Sequence, residues 1–387
     1  MKRLIPFNRP HITGHEFERI QEAIDNRHLS GNGPFTARCQ TWIERTLDVP
    51  RALLTHSCTG ALEMAAILID AAPGDEIIMP SFTFVSTANA FALRGATPVF
   101  VDIRPDTLNL DERLVEAAVT PRTRAIVAVH YGGVSCDMDA LGTIAGRHGL
   151  AVVEDAAQAV LARWNGRPLG SIGDLAALSF HETKNVSAGE GGALLVNSDR
   201  FLARAEIVWE KGTDRSRFYR GEVDKYSWRD LGSSYQPSEI SAAFLWAQLE
   251  EADRITRARL SVWDSYHRAF EELEREGLVR RPVVPRGCDH NAHLYYLLLP
   301  NGRSRAALLA ALAAQGVNAI FHYVPLHGSP AGQRFGRIAG SMRETESTSE
   351  RLIRLPLWSD MTAEDVTYVA EQVIHQVRQL QRVDAIP

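Results

Sequence analysis

Lys184 stands between two short apolar runs, Ala177-Leu178-Ser179-Phe180 and Ala193-Leu194-Leu195-Val196, in the stretch ALSFHETKNVSAGEGG. The runs read as buried strands and the polar residues between them as a turn. Gly189, Gly191 and Gly192 follow the lysine. Glycine admits positive φ and close approach of backbone to a ligand. A lone amine at such a turn suits a reactive lysine. The competing reading is a solvated loop lysine.

Three further clusters bear on that choice. Ala52-Leu53-Leu54-Thr55 leads into His56-Ser57-Cys58-Thr59-Gly60 and then a helical pattern. Small and hydroxyl residues at a helix N-terminus make an anion site, because free N–H groups and the helix dipole face the ligand. Plain N-capping by Ser57 or Thr59 is the alternative. Cys58 near His56 also raises a thiol nucleophile, although residues so close in sequence seldom point the right way. Ile77-Ile78-Met79 leads into Pro80-Ser81-Phe82-Thr83-Phe84. An aromatic there either fills the core or lies flat on a planar ligand. Ala151-Val152-Val153 leads into Glu154-Asp155-Ala156-Ala157-Gln158. An acid at that point either caps the next helix or faces a buried cation.

An anion cradle, an aromatic, a buried acid and a lysine are the parts that a pyridoxal phosphate site needs. The phosphate sits on the helix N-terminus and the aromatic covers the ring. The acid keeps the pyridine nitrogen protonated, and the lysine holds the aldehyde as a Schiff base.

The elements that must position these residues follow a regular alternation. Strands are expected at 52–55, 77–80, 98–102, 125–130 and 151–153, with helices at 61–69, 86–94, 111–118 and 138–148. Repeated βα units argue for a mostly parallel sheet covered by helices. In such sheets ligands bind beyond the carboxyl ends of the strands, which is where all four clusters lie. Helices at 16–26 and 35–47 precede the sheet, separated by the turn cluster Ser30-Gly31-Asn32-Gly33-Pro34. A long helical pattern from Ser238 to about Glu276 leaves the large domain. Beyond it come a strand at 293–299, a helix at 303–315, a strand at 317–321 and a closing helix at 363–383. The chain is therefore divided into a large domain, 1–250, and a smaller C-terminal α/β domain, 251–387. The N-terminal segment is allowed to pack on the latter.

Composition narrows the function classes. The 387 residues are 45% hydrophobic and 23% charged, with a net charge of −5, as in an ordinary globular protein. The acidic balance argues against a nucleic-acid binder. No apolar run has the length of a membrane span, and the start lacks the apolar core of a signal peptide, so a cytoplasmic protein is expected. Cys39, Cys58, Cys136 and Cys288 form no CxxC pair or zinc pattern, and His322 and His327 lack HExxH spacing. No metal site is expected.

The motifs SCTGALEMA, PSFTFVST, VVEDAAQA and SFHETKN…GEGG resemble those of the DegT/DnrJ/EryC1/StrS sugar aminotransferase family, over essentially the whole chain. The resemblance implies the fold type I pyridoxal-phosphate architecture, with a mostly parallel seven-stranded sheet in the large domain. It implies a homodimer or higher homo-oligomer with shared active sites. Lys184 becomes the Schiff-base lysine and general acid/base, and Asp155 the partner of the pyridinium nitrogen. Gln158 reaches the ring hydroxyl and Phe84 stacks on the ring, with Phe82 the weaker candidate. Cys58, Thr59 and Ser179 hold the phosphate, Cys58 standing where the family usually has glycine. In LGSSYQPS the family commonly has asparagine and arginine where Ser234 and Gln236 stand. That asparagine reaches the partner subunit's phosphate, and Ser234 inherits the contact. Within the family the stretches FNRPHITGHEFERIQEAIDNRHLSGNGPFT, LLTHSCTGALEMA and FHETKN…GEGGALLVN look most like transaminases that make dTDP-4-amino-4,6-dideoxygalactose for enterobacterial common antigen. The implied substrates are L-glutamate and dTDP-4-keto-6-deoxyglucose. Another nucleotide keto-sugar and a non-catalytic cofactor-bound regulator are the rivals.

The segment KGTDRSRFYRGEVDKYSWRD, residues 211–230, holds six basic residues and four aromatics. Arginine suits phosphate through its planar fork. Arg215 and Arg217 are read as gripping a nucleotide-sugar diphosphate, against the alternative of a solvated loop with balancing acids. The resemblance also places the loop Tyr323-Val324-Pro325-Leu326-His327 near the sugar, which makes Tyr323 and His327 substrate candidates.

Overall fold

The protein, examined as a computed structural model, is described over residues 3–384. Its large sheet comprises β1 (Arg51–Thr55), β2 (Glu76–Pro80), β3 (Thr97–Val101), β4 (Thr123–Val129), β5 (Ala151–Asp155), β6 (Leu175–Ser179), β7 (Gly192–Val196) and β8 (Arg337–Ile338). Their order is β1–β7–β6–β5–β4–β2–β3–β8. Only β7 runs antiparallel to its neighbours, β1 and β6; the remaining pairs are parallel.

The strands are almost wholly apolar because both faces are covered. Side chains alternate between the faces with the strand period of two. Leu53, Ala125, Val127 and Ala177 face a core shared with helices Cys58–Leu68 and Asp199–Trp209. Ala52, Leu54, Ala176 and Leu178 face another, shared with helices Pro34–Leu47 and Glu239–Glu250. A further core lies around the antiparallel pair Tyr295–Leu298 and Leu352–Leu355, under helices Ala252–Ala269, Gly302–Ala314 and Ala363–Asp384. Ile5 joins that core and pairs with Val317, so the N-terminal segment packs on the C-terminal part.

The seven strands expected of the large domain are joined in the sheet by an eighth, and two other expectations need correction. The extra one, β8, comes from the C-terminal part and is held at the sheet edge where Arg337 donates to Glu76 at 2.7 and 3.0 Å. The long helix from Ser238 is three helices, Glu239–Glu250, Ala252–Ala269 and Glu271–Arg275. Leu249 serves the core beneath the sheet and Val262 the C-terminal core, and one straight rod does not reach both. Residues 317–321 form no regular strand. They make single bridges, Val317 to Ile5 and Ile320 to Arg354, because the segment crosses between two partners instead of following one.

Candidate active site

β1, β7 and β6 end level with one another: Thr55 faces Gly192, and Gly192 faces Ser179. A Cβ on Gly192 would collide with the backbone of Ser57 and Cys58, so only glycine lets β7 lie against the start of the next helix. Ser57 caps that helix, Cys58–Leu68, by accepting from Gly60 N at 3.0 Å. Among the described residues no acceptor takes the N–H of Cys58 or Thr59. Two free amides on a helix of 11 residues, with buried Ser179 alongside, form an anion cradle. The Thr59 hydroxyl is 2.8 Å from Ser86 Oγ, which ties the cradle to the helix Val85–Ala92 that follows β2.

Asp155 ends β5 and is buried. Its Oδ2 accepts from Thr87 Oγ1 at 2.7 Å and its Oδ1 from Ala157 N at 3.2 Å. Glu154, one residue earlier, faces the other side of the sheet. It takes His130 Nε2 at 2.9 Å and the N–H groups of Gly170, Ile172 and Gly173 at 2.6–2.8 Å. Burial pushes its pKa upward, but His130 and these donors outweigh that and hold it below the usual value. Two adjacent acids thus have two roles, one in the fold and one at the strand end.

Lys184 sits on an excursion between β6 and β7, closed by Phe180 N to Gly191 O at 2.9 Å and Ala188 N to Phe180 O at 2.7 Å. Gly189 turns it at φ 77°. Behind the lysine, Asn185 Nδ2 donates to Asn291 O at 2.8 Å, and Asn185 Oδ1 accepts from His293 Nδ1 at 3.0 Å. The lysine keeps partial exposure as a residue, yet burial lowers the pKa of its ammonium. The charge of Asp155 opposes that shift and Arg354 adds to it. Lys184, Asp155 and Cys58 therefore share one electrostatic environment.

Gln158 Oε1 accepts from Gly132 N at 2.7 Å, and Nε2 donates to Tyr323 OH at 3.0 Å. Tyr323 is thereby joined to the loop after β5. Phe82 is 1% exposed and packs edge-on to Tyr131 and Tyr323, whereas Phe84 is 59% exposed. Phe82 is a core residue, and Phe84 keeps a free face.

Other sequence candidates fall elsewhere. His327 has its Nδ1 on Ser81 Oγ at 2.8 Å and its Nε2 on Glu346 at 3.3 Å. Both ring nitrogens are engaged, which makes it a fastener of its loop and removes the geometric case for a substrate ligand. Ser234 is exposed and bridges Glu210, while its neighbour Tyr235 accepts from His56 N at 2.8 Å. Arg217 pairs with Glu222 at 3.1 Å. Arg215 donates to Tyr219 OH at 2.7 Å, and among the described residues no carboxylate pairs with it. The thiol reading of Cys58 fails: burial, then the Asp155 charge, pushes its pKa well up, the opposite of a nucleophilic cysteine. His56 Nδ1 faces Tyr235 O at 3.1 Å instead.

The donor set fits pyridoxal phosphate. Free helix amides suit the phosphate, Asp155 suits a pyridinium, and a desolvated lysine suits the aldehyde. Fold and site together define a fold type I pyridoxal-phosphate aminotransferase. The chain belongs to the DegT/DnrJ/EryC1/StrS aminotransferase family, whose model matches residues 10–374. It is 34% identical over 377 residues to the spore coat polysaccharide biosynthesis protein SpsC of Bacillus subtilis (strain 168), covering 95% of this chain and 96% of that one. The aminotransferase TlmJ from Streptoalloteichus hindustanus superposes with a TM-score of 0.89 at 29% identity, over 98% of this chain and 100% of that one. DesV of S. venezuelae, solved with a ketimine intermediate, gives 0.87 at 30%, over 97% and 98%. The cofactor is pyridoxal phosphate and the enzyme a sugar aminotransferase.

Proposed function

We propose that the enzyme moves the amino group of L-glutamate to C4 of dTDP-4-keto-6-deoxy-D-glucose, giving dTDP-4-amino-4,6-dideoxy-D-galactose and 2-oxoglutarate. The observation that carries the aminotransferase part is the desolvated Lys184 in the field of Asp155. The sugar part rests on the motif resemblance, including the enterobacterial common antigen transaminases, and on a relative concerned with polysaccharide biosynthesis. When bound, the cofactor supplies an electron sink for the carbon that loses its proton.

The chain's residues supply the rest. The N–H groups of Cys58 and Thr59, with the Ser179 hydroxyl, hold the phosphate. Asp155, aligned by Thr87 and Ala157, keeps the ring nitrogen protonated. Gln158 reaches the ring hydroxyl, and Phe84 covers the ring with its free face. The Nζ of Lys184 is the covalent anchor and carries the proton between substrate and cofactor carbons. Its lowered pKa enlarges the neutral fraction near pH 8. Arg215, without a carboxylate partner, meets the diphosphate. Arg217 joins it by leaving Glu222, and Tyr323 lines the sugar side. Ser234 reaches the partner's phosphate in a homodimer. The reaction is set in the cytoplasm; among the described residues no helix is long and apolar enough to cross a membrane.

The test is mass spectrometry of products from glutamate plus a panel of nucleotide-linked keto-sugars, with NMR of the C4 configuration. Preferred turnover of the dTDP-4-keto-6-deoxy sugar to the galacto product is expected. Preference for another panel member, or the gluco product, sinks this substrate assignment. Arg215→Ala and Arg217→Ala should each raise the KM for the sugar nucleotide, and unchanged values in both remove the diphosphate role.

A further inference from the structure

His293 stands just before the strand Tyr295–Leu298 and is 5% exposed. Its backbone is held from two sides. Arg259 Nη2 donates to its carbonyl at 2.7 Å, and its own N–H donates to Asn291 Oδ1 at 3.1 Å. The ring is held as well. Asn185, the residue after Lys184, donates from Nδ2 to Asn291 O at 2.8 Å, which turns its Oδ1 toward His293 Nδ1 at 3.0 Å. An amide oxygen only accepts, so Nδ1 carries the proton and Nε2 is a bare acceptor. That Nε2 bonds to no described residue, and it keeps contact with solvent rather than being sealed in the protein.

Burial holds this imidazole neutral, and the charges of Lys184, Arg259 and Arg354 act in the same direction. His293 therefore offers a lone pair, and no charge, beside the turn that carries Lys184. An ammonium has three donors, and a desolvated one is costly when they go unused. The groups that share an electrostatic environment with Lys184 are Cys58, Asp155, Arg354, His293 and His322. Cys58 stays a thiol, and Arg354 has donors only. Asp155 already accepts from Thr87 and Ala157. His322 has its Nδ1 on Tyr131 OH at 3.1 Å, a hydroxyl that leaves either tautomer open. Of the five, His293 is the one whose tautomer is fixed and whose acceptor is unused.

We infer that His293 is a positioning residue for the reactive amine: its Nε2 accepts a hydrogen bond from Lys184 Nζ whenever that amine is free of the cofactor. The inference rests on Lys184 being the lysine of the transamination. In that role the freed amine takes a proton from one carbon and delivers it to another. Between the two transfers it is an ammonium in a desolvated place. A neutral imidazole that resists protonation orients this ammonium without taking its proton. A carboxylate at the same place would hold it as a salt bridge and make the proton harder to return.

Two substitutions separate this role from simple bracing of Asn185. His293→Asn keeps a donor where Nδ1 stands and has no atom where Nε2 stands. His293→Gln keeps an acceptor near Nε2 and gives up the donor to Asn185. The chain has four lysines, Lys2, Lys184, Lys211 and Lys225, so NMR of the lysine-labelled protein resolves Lys184, with Lys184→Ala giving the assignment. The titration is read on the holoenzyme carrying the amine form of its cofactor, in which Lys184 is free. In His293→Asn the Lys184 ammonium should titrate at least about one pH unit below wild type, the worth of one hydrogen bond to a charged group. In His293→Gln it should stay within about half a pH unit. The kcat of His293→Asn should fall about tenfold, with the KM for glutamate and for the keto-sugar each within about threefold. Thermal midpoints confirm folding, and His293→Gln, without the Asn185 bond, should melt below His293→Asn. If His293 only braces the turn, the order reverses: His293→Asn keeps the wild-type titration and turnover, and His293→Gln loses them. That order, or one Lys184 titration common to all three proteins, overturns the inference. A visible cofactor band that survives in Lys184→Ala would instead defeat the lysine assignment on which it rests.

Discussion

Glu154 and Asp155 are adjacent carboxylates with opposite faces, and replacing each by its amide separates fold from chemistry. Glu154 is fully buried and accepts four hydrogen bonds, from His130 and three backbone amides. Glutamine keeps one acceptor oxygen and turns an NH2 toward groups that also donate. About two charge-assisted bonds are lost, at about 1.5–3 kcal/mol each. Breaking a buried pair typically costs about 3–5 kcal/mol, so Glu154→Gln should lose about that much. For a chain of this size that is a fall of roughly 4–6 °C in thermal midpoint. Asp155 has two such bonds, from Thr87 and Ala157. Asp155→Asn keeps an acceptor for the Thr87 hydroxyl and should melt within about 3 °C of wild type. Its turnover should fall at least about 100-fold, because the charge proposed to face the ring nitrogen is gone. Differential scanning fluorimetry and steady-state kinetics on both holoenzymes make the comparison. If Glu154→Gln melts with wild type, or Asp155→Asn keeps full turnover, the division of labour argued from strand alternation is wrong.

Three more outcomes follow from contacts in and around the site. Gly192→Ala should weaken cofactor affinity by at least about tenfold, since its Cβ drives the Ser57–Cys58 backbone off the cradle; cofactor titration by absorbance checks it, and unchanged affinity refutes the close approach. In the proposed cradle only the N–H at this position is used, so Cys58→Ser should retain most activity, and a dead but folded variant would restore a role for the thiol. Glu76 is held at about 2, against an ordinary 4.5, mainly by Arg337 and against the opposing effect of burial. A depressed carboxylate stabilises the fold fully above the unfolded pKa and loses that contribution as pH falls through the folded one. With partners as exposed as Arg122 and Arg337, the shift is worth about 1–2 kcal/mol rather than its full value. Glu76→Gln should be less stable than wild type at pH 7, and the gap should close between pH 4.5 and 2; urea titrations at these pH values measure it, and a constant gap refutes the linkage.

The βα alternation was readable because each buried strand is a short apolar run ending in polar or small residues. The helix at 138–148 is marked by Asp137 as its cap and Gly149 at its left-handed end. Lys184 and Asp155 were legible for the same reason: they sit where those runs stop. What sequence did not disclose depends on distant partners. Asp199–Trp209 carries mixed charges, and its apolar side, Phe201, Ala205 and Val208, acquires meaning only against the sheet. Arg354 reads in sequence as one more arginine in RLIRLP, and its place against Ile320 and the Phe7 ring exists only in the fold. Thr87 is a helix residue until the fold puts its hydroxyl on Asp155. The strand expected at 317–321 failed because apolar composition reports burial, not continuous pairing.

Residues from both parts of the chain build one site, and the bonds between those parts explain why. Gln158 and Tyr323 join across the cofactor side, while Ser81 and His327 join just behind it at 2.8 Å. Asp102, at the end of the large sheet, accepts from Glu344 N and from Thr345 N and Oγ1 at 2.7–3.0 Å, clamping the helix Arg343–Arg351. That helix leads directly into the strand bearing Arg354. The large sheet therefore fixes both the groups proposed to hold the cofactor and, through Asp102, the helix that leads into the strand Leu352–Leu355. The lysine is braced from the other side, since Asn185 leans on His293 and Arg259 holds the backbone at that residue. A substitution at Asp102 would loosen the helix Arg343–Arg351 without touching Lys184, and one at Arg259 would reach Lys184 from the other side. Separate supports of this kind allow the sugar-facing loops to diverge while the transamination chemistry keeps its geometry.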